Sequence, residues 1–318
     1  MRNAGLMNSI LALSCRHLSL NPRLHHGELP NGEAALQYYY QTLHYVQKAM
    51  EYSTYQVSLE LLSTTLIISA YEMLDNSSND WERHLEGVFL IQRSQIIHGE
   101  SGGLQAAVWW AWLCQDIWAA FREKRKTLTF WIPQKPLASL SPYELAARSV
   151  YVTAKVINFC SQQVPTATAE GSIQIRIDKA HRLHAMLNDW RKHLTIEFSP
   201  LPVTSQGRST FFRPIWICPP AFGLYRILVP FFIDELTSSP GVAMQLYYAA
   251  RILLLSHEPS LGGLSKYLER QTVIQRCVEG ICGIATTLKD DASSLMSSQA
   301  LFIGKGRSHL HRESLIVL

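Results

Sequence analysis

The run from Gly102 to Phe121, GGLQAAVWWAWLCQDIWAAF, is nearly free of charge and carries Trp109, Trp110, Trp112 and Trp118 beside Cys114 and Asp116. A stretch this long and apolar has two destinations, a bilayer or the interior of a large protein core. Gln105, Gln115 and Asp116 interrupt it, and the cost of such groups at a bilayer centre argues for a helix buried in a soluble core. Trp109, Trp112 and Trp118, with Leu113 and Ile117, follow helical spacing and form its expected buried face, while Asp116 with Arg122 or Arg125 forms a polar edge. The rest of the chain must then supply the apolar surface that encloses this helix. With 318 residues, 47% apolar and 17% charged, it has enough.

Helical periodicity continues along the sequence. NGEAALQYYYQTLHYVQKAMEYS starts at Asn31 as a cap and spaces Leu36, Tyr39, Tyr40, Leu43, Val46 and Met50 by three and four. STYQVSLELLSTTLIISAYEMLD follows, with Ser53 and Gln56 in capping-box positions and apolar residues on nearly every side. NDWERHLEGVFLIQRSQI is capped by Asn79 or Asp80, aligns His84, Val88, Ile91 and Gln95 along one stripe, and ends at the glycine-rich HGESGG. SPYELAARSVYVTAKVINFCSQ places Ser141 at the cap, Pro142 at the first helical position and Glu144 at the third, a strong start signal. Further helices are expected at about Ile173–His193, Ala243–Ser256, Lys266–Leu288 and Ala292–Ile303. No Asn-Gly hairpin or long alternating run appears, so the expected class is all-α, a multi-helix array of antiparallel packed helices in a single domain over 1–318. The opening MRNAGLMNSILALSCRHLSL reads as a helix rather than a signal peptide.

Motifs that carry chemistry are scarce. The sequence has no G-x-S-x-G, P-loop, G-x-G-x-x-G, H-E-x-x-H or zinc-finger spacing, so no catalytic residue and no metal ligand is assigned, no cofactor is expected, and cofactor-binding residues are unknown. His181 and His184 share a helical face and His193 lies nine residues further on, but no carboxylate or Cys at ligand spacing completes a site, and Arg182, Arg191 and Lys192 disfavour a cation. A solvated helix surface is the expected reading, and His25 and His26 sit in a loop. FREKRK, Phe121–Lys126, reads as a solvated helix end favoured by the helix dipole rather than a phosphate contact. The six cysteines, Cys15, Cys114, Cys160, Cys218, Cys277 and Cys282, lack C-x-x-C pairing and suit reduced thiols; Cys277 and Cys282 read as core. A formal charge of +4 carries no signature of a polyanion-binding protein.

The order of several segments is more specific than any one of them. HLEGVFLI, then GGLQAAVWWAWLCQDIWAAF, then a basic turn and a following Trp, are accompanied by ILALSCRHLS (Ile10–Ser19), YYYQTLHYVQKAM (Tyr38–Met50), FFRPIWICPPAFG (Phe211–Gly223), AMQLYYAARILLLSHEP (Ala243–Pro259) and the stretch from Gly280 to Ile303. This series resembles the regulatory, or middle-homology, domain of fungal transcription factors of the binuclear zinc-cluster type. The resemblance implies a helical regulatory domain that normally follows a module in which six Cys hold two zinc ions and a short helix reads the major groove. ILALSCRHLS resembles a segment well downstream of that module, and Cys15 has no partners at zinc-cluster spacing, so no zinc-cluster module is expected in these residues.

Two departures from the family pattern stand out. LYRILVPFFIDELTSSPGV separates Gly223 from Ala243, where the family runs almost directly on; 224–242 is expected to be an inserted loop, kept non-helical at its ends by Pro230, Pro240 and Gly241, and is either an in-frame retained intron or a lineage-specific loop. The tail, 304–318, loses the apolar, Ala-rich character of a closing helix and suggests an altered reading frame or an early stop.

The function implied is a nuclear transcriptional regulator or co-regulator, not an enzyme, acting on other transcription factors or co-regulators without direct sequence-specific DNA contact or a membrane. Homo- or hetero-oligomers and a small-molecule effector in an interhelical cavity stay open. The alternatives are a titrating or non-functional truncated paralogue and, third, a ligand-binding protein or enzyme on the same scaffold.

Overall fold

Ser141 does what its surroundings in the sequence dictate. Its hydroxyl accepts from the Glu144 backbone N–H, the Glu144 carboxylate accepts from the Ser141 N–H at 2.9 Å, and Pro142 fills the first helical position, so the capping box is complete. In this computed structural model, which describes residues 3–20, 32–75, 80–162, 170–201, 212–217, 240–259, 262–288 and 291–305, helix follows helix. They are α1 (Ala4–Leu20), α2 (Gly32–Ala49), α3 (Ser53–Gln56), α4 (Leu59–Asp75), α5 (Asp80–Ser94), α6 (Gly103–Glu123), α7 (Pro142–Cys160), α8 (Glu170–Lys192), α9 (Pro240–His257), α10 (Gly263–Ala285) and α11 (Asp291–Lys305). Short 3-10 turns lie at Leu137–Ser139 and Ile196–Phe198. Among the described residues the extended structure is one isolated antiparallel bridge, Pro200 with Ile217, and the class is all-α. No helix among them is long and apolar enough to cross a membrane.

Local expectations fail where two signals compete. Ser53 and Gln56 form a one-turn helix with Tyr52 at its N-cap and no side-chain cap; the Gln56 amide instead donates to the Met50 carbonyl at 2.7 Å. The long helix starts at Ser58, whose hydroxyl accepts from the Leu61 N–H at 3.1 Å. Both serines are competent caps. The second stands directly before Leu61, Leu62 and Leu66, whose burial sets the register. On α5 the buried stripe is Trp81, Leu85, Val88 and Gln92, not His84, Val88, Ile91 and Gln95, because Trp81 has the largest apolar area to remove from water.

The helix also stops before HGESGG. Ile96 takes φ 55° and the Ile97 N–H closes onto the Gln92 carbonyl at 2.9 Å, while α6 ends alike at Lys124, φ 56°, with the Arg125 N–H on Ala120. A left-handed Ile costs about 1–2 kcal/mol. Burying the neighbouring Ile97, 1% exposed, offsets it.

The residues group into two compact units, Met1–Asp116 with Leu128–Ile132, and Ile117–Thr127 with Pro133–Leu318, so that α6 contributes to both. In the first unit α1 packs on α2 and α4, and α4 on α5. Gly5 permits the approach of α1 to α2: a Cβ there would run into the Tyr45 ring. Ala12, Ala35 and Tyr71 are buried together, flanked by Leu13, Cys15, Tyr38 and Tyr39, and Arg16 pairs with Asp75 at 2.9 Å.

In the second unit α9 is the centre. It packs on α7, α10, α11 and α8 and buries Ala249, Ala250, Ile252 and Leu254 completely. Gln245, also fully buried, uses its amide nitrogen to join two neighbours, donating to the Ile281 carbonyl of α10 and the Ser297 hydroxyl of α11, each at 2.9 Å. The segment 212–217 lies on the end of α10, with the Ile215 N–H on the Gly283 carbonyl at 2.9 Å and the Thr287 hydroxyl on the Ile215 carbonyl at 2.8 Å.

The beginning of α9 differs from expectation. Pro240, Gly241 and Val242 were expected in a non-helical insert, yet they form the first turn of α9 and are buried. Proline suits this place because the first N–H groups of a helix have no partner within it. The remainder of that segment, 224–239, lies outside the described residues, as do His25, His26, Cys218 and 306–318; Gly304 and Lys305 of the expected tail belong to α11.

Candidate functional site

Trp109, Trp110 and Trp112 of α6 fill the first unit rather than line an opening. Trp109 and Trp112 are fully buried and Trp110 is 5% exposed. The Trp112 indole N–H donates to the Leu85 carbonyl at 3.0 Å and its ring lies along Phe89, centroids 6.0 Å apart. Trp110 donates to the Gly99 carbonyl at 3.1 Å. Trp131, from beyond the basic turn, packs edge-on against Trp109 and Trp110 at 4.9 and 5.9 Å, and His98 stacks on its face. Glycine is required at position 99, where a Cβ would lie 2.7 Å from Trp110. Asp116, fully buried, accepts from the Leu128 N–H at 2.7 Å, while Arg125 turns to Glu123 at 2.6 Å. Trp118 belongs to the second unit and is only half-buried, against Phe121 and Phe302.

A polar centre escaped the sequence reading. Glu72, 3% exposed on α4, accepts from the Tyr39 hydroxyl at 2.6 Å, and His84 Nε2 lies 3.2 Å from the same carboxylate oxygen. A glutamate inside an apolar helix, 33 residues from one partner and 12 from the other, carries no local signature of this grouping. Burial, then the hydrogen bond to Glu72, pushes the Tyr39 phenol well above its usual range. Burial raises Tyr71 as well. Unfolded tyrosine ionises near pH ~10. Above that pH the unfolded chain holds fewer protons than the folded one, so stability present at lower pH is lost as pH rises toward the folded value. Melting temperature is therefore expected to fall above pH ~10, and less steeply in Tyr39→Phe. Thermal melts across that range check it; parallel curves for both proteins would dismiss Tyr39 as a contributor.

The histidines of α8 do not converge. His181 is exposed, and His193 folds back on its own helix, Nδ1 2.9 Å from the Asp189 carbonyl. His184 is not merely solvated: Nε2 lies 2.7 Å from Glu258, which Arg270 also holds at 3.2 Å. The carboxylate missing at local spacing arrives from the end of α9. Beside it Arg176, 8% exposed, donates to the carbonyls of Gln162 and His257, closing the ends of two helices.

Burial raises the thiols of Cys114, Cys277 and Cys282, the last to about 11, so they hold their protons at neutral pH. No group of three or more His, Cys, Asp or Glu among the described residues is placed to hold a metal. Two grooves are open at the surface. One in the first unit, about 610 Å³, runs along Tyr45, Tyr52, Tyr55, His44 and Lys48; one in the second, about 230 Å³, is rimmed by Lys155, Lys179 and Arg182. The basic turn is tied beside it, with the Thr127 N–H on Asn158 at 2.7 Å.

The geometry thus defines an all-helical protein in which Trp109, Trp110 and Trp112 are absorbed into packing and the histidines of α8 do not converge on a site. Residues 1–102 match the model of a family described as "Fungal specific transcription factor domain". The chain is also similar to "Transcription activator AMTR1" of Alternaria alternata, 26% identical over 323 residues, an alignment that covers 81% of this chain and 40% of that protein. The chain therefore spans well under half the length of that relative. No solved structure matches. The resemblance to a fungal transcription-factor regulatory domain, first read from the order of short segments, holds.

Proposed function

We propose that these residues form the regulatory region of a nuclear transcriptional regulator or co-regulator that works through protein contacts rather than by reading DNA or by catalysis. The observation that carries this is the match of residues 1–102 to a fungal transcription-factor domain, supported by the similarity to a transcription activator. Consistent with it, the side chains that sequence patterns single out serve packing and helix closure. The two units are proposed to act as one regulatory domain over 1–318, with 224–239 an insertion between its helices. Other transcription factors or co-regulators are the proposed partners, and a small-molecule effector is the proposed input.

These 318 residues carry no cysteine spacing that would build a zinc cluster and place a recognition helix in the major groove. Purified protein is expected to show no sequence-specific affinity for short duplexes containing CGG triplets, and a footprint at near-physiological salt would overturn that. Tethered to a heterologous DNA-binding domain, the chain is expected to change output from a reporter and to concentrate in nuclei. An unchanged reporter, with reduced activity of a co-expressed full-length relative, would favour the titrating paralogue instead.

A further inference from the structure

In the second unit the end of α8 and the middle of α9 bring two arginines to one phenol. Arg191 Nη1 donates to the Tyr247 oxygen at 3.2 Å and Arg251 Nη1 donates to the same oxygen at 3.3 Å. Both guanidiniums also lie over the Tyr247 ring, 5.5 and 5.7 Å from its centroid. Two cations that share one neutral acceptor repel each other, and a phenol cancels neither charge. Among the described residues, the other groups that bear on Arg191 are Tyr248 and Cys277, whose protons burial holds in place, and not an acid. The nearest acids by sequence are engaged elsewhere, Asp189 with His193 and Glu258 with His184 and Arg270.

The acceptor is fixed before anything binds. Tyr247 is 1% exposed and stacks on Trp190, centroids 5.6 Å apart, and Trp190 is anchored by its indole N–H on the Leu145 carbonyl at 2.8 Å. Tyr248 is held against Gly280, where a Cβ would lie 2.7 Å from its ring. Each guanidinium has five N–H donors, of which Tyr247 takes one. Arg191 is exposed, so the remaining donors are open to solvent. Planar forks of this kind match the spacing of oxygens in carboxylates and phosphates.

We propose that Arg191, Arg251 and Tyr247 form an oxyanion site that takes the phosphate or carboxylate group of a small effector. The proposal rests on the regulatory reading only in naming that anion an effector. An oxyanion between the guanidiniums offsets their repulsion, and the shared phenol keeps both side chains in place when the site is empty.

Titration calorimetry on the full chain tests this with two probes, inorganic phosphate and succinate, at ionic strength held constant with chloride. Saturable binding of phosphate assigns a phosphoryl group, and saturable binding of succinate alone assigns a carboxylate. Arg191→Gln and Arg251→Gln are each expected to weaken it about tenfold, the worth of a charge-assisted hydrogen bond, while Arg182→Gln on the separate basic groove leaves it unchanged. Exposed Arg191 keeps the test readable if the Arg251 variant fails to fold. Absence of saturable binding by either probe overturns the proposal, and so does binding that Arg191→Gln leaves intact or that Arg182→Gln weakens equally. Purified protein that binds the anion but leaves the reporter silent keeps the site and removes the regulator.

Discussion

Trp112→Ala is expected to cost about 3–5 kcal/mol of stability, the range for truncating a fully enclosed large aromatic. Trp112 is 0% exposed, its indole N–H is spent on the Leu85 carbonyl, and Phe89 covers its face, so truncation opens a cavity and removes a buried hydrogen bond. Trp118→Ala is expected to cost only about 1–2 kcal/mol, since the residue is only partly buried and its neighbour Phe302 is itself largely in solvent. The two residues stand on one helix with the same side chain, so the contrast isolates burial. In thermal melts followed by circular dichroism, Trp112→Ala should lower the midpoint by on the order of 10 °C. Equal shifts for both would refute the assignment of Trp112 to a fully enclosed position and of Trp118 to a partly exposed one.

Deleting 224–239 is expected to leave thermal stability and solubility at or above those of the parent, whereas deleting 224–242 is expected to lower stability by about 3 kcal/mol or more. The difference lies in three residues. Pro240, Gly241 and Val242 are the first turn of α9, and Val242 is 1% exposed. Removing them strips a buried side chain from the helix at the centre of the second unit and discards a proline suited to its first position. The shorter deletion keeps that turn and still brings the segments of the family pattern closer together. A clear fall in melting temperature for the shorter deletion would show that 224–239 contributes to the core. Equal stability of the two variants would remove the importance given to the first turn of α9.

Much of the secondary structure was legible because its signals are local. Helical periodicity named α2, α7, α8, α9 and α10 to within a few residues, and Ser141, Pro142 and Glu144 fixed the start of α7, since a cap is settled within one turn of chain. The tryptophans of α6 pointed to a core for the same reason: their spacing and the lack of charge around them are properties of one segment. Where two nearby residues could play the same role, local chemistry did not decide. Ser58 rather than Ser53 caps α4, and Trp81, Leu85 and Gln92 rather than His84, Ile91 and Gln95 are buried on α5, because the partner surface rather than the helix selects the face.

The polar groupings were beyond the sequence for a further reason. Glu72 with Tyr39 and His84, His184 with Glu258 and Arg270, and Arg191 with Arg251 on Tyr247 join residues from different helices. Each side chain alone resembles the charged and phenolic residues of any helix surface. The sequence determined by itself that this chain is helical, that most of α6 is buried, and that the chain resembles a fungal transcription-factor domain. Only the tertiary structure decided which carboxylates are paired and which arginines are left facing one another. Periodicity records how far a residue lies around its own helix, and a hydrogen bond depends on which other helix comes to meet it.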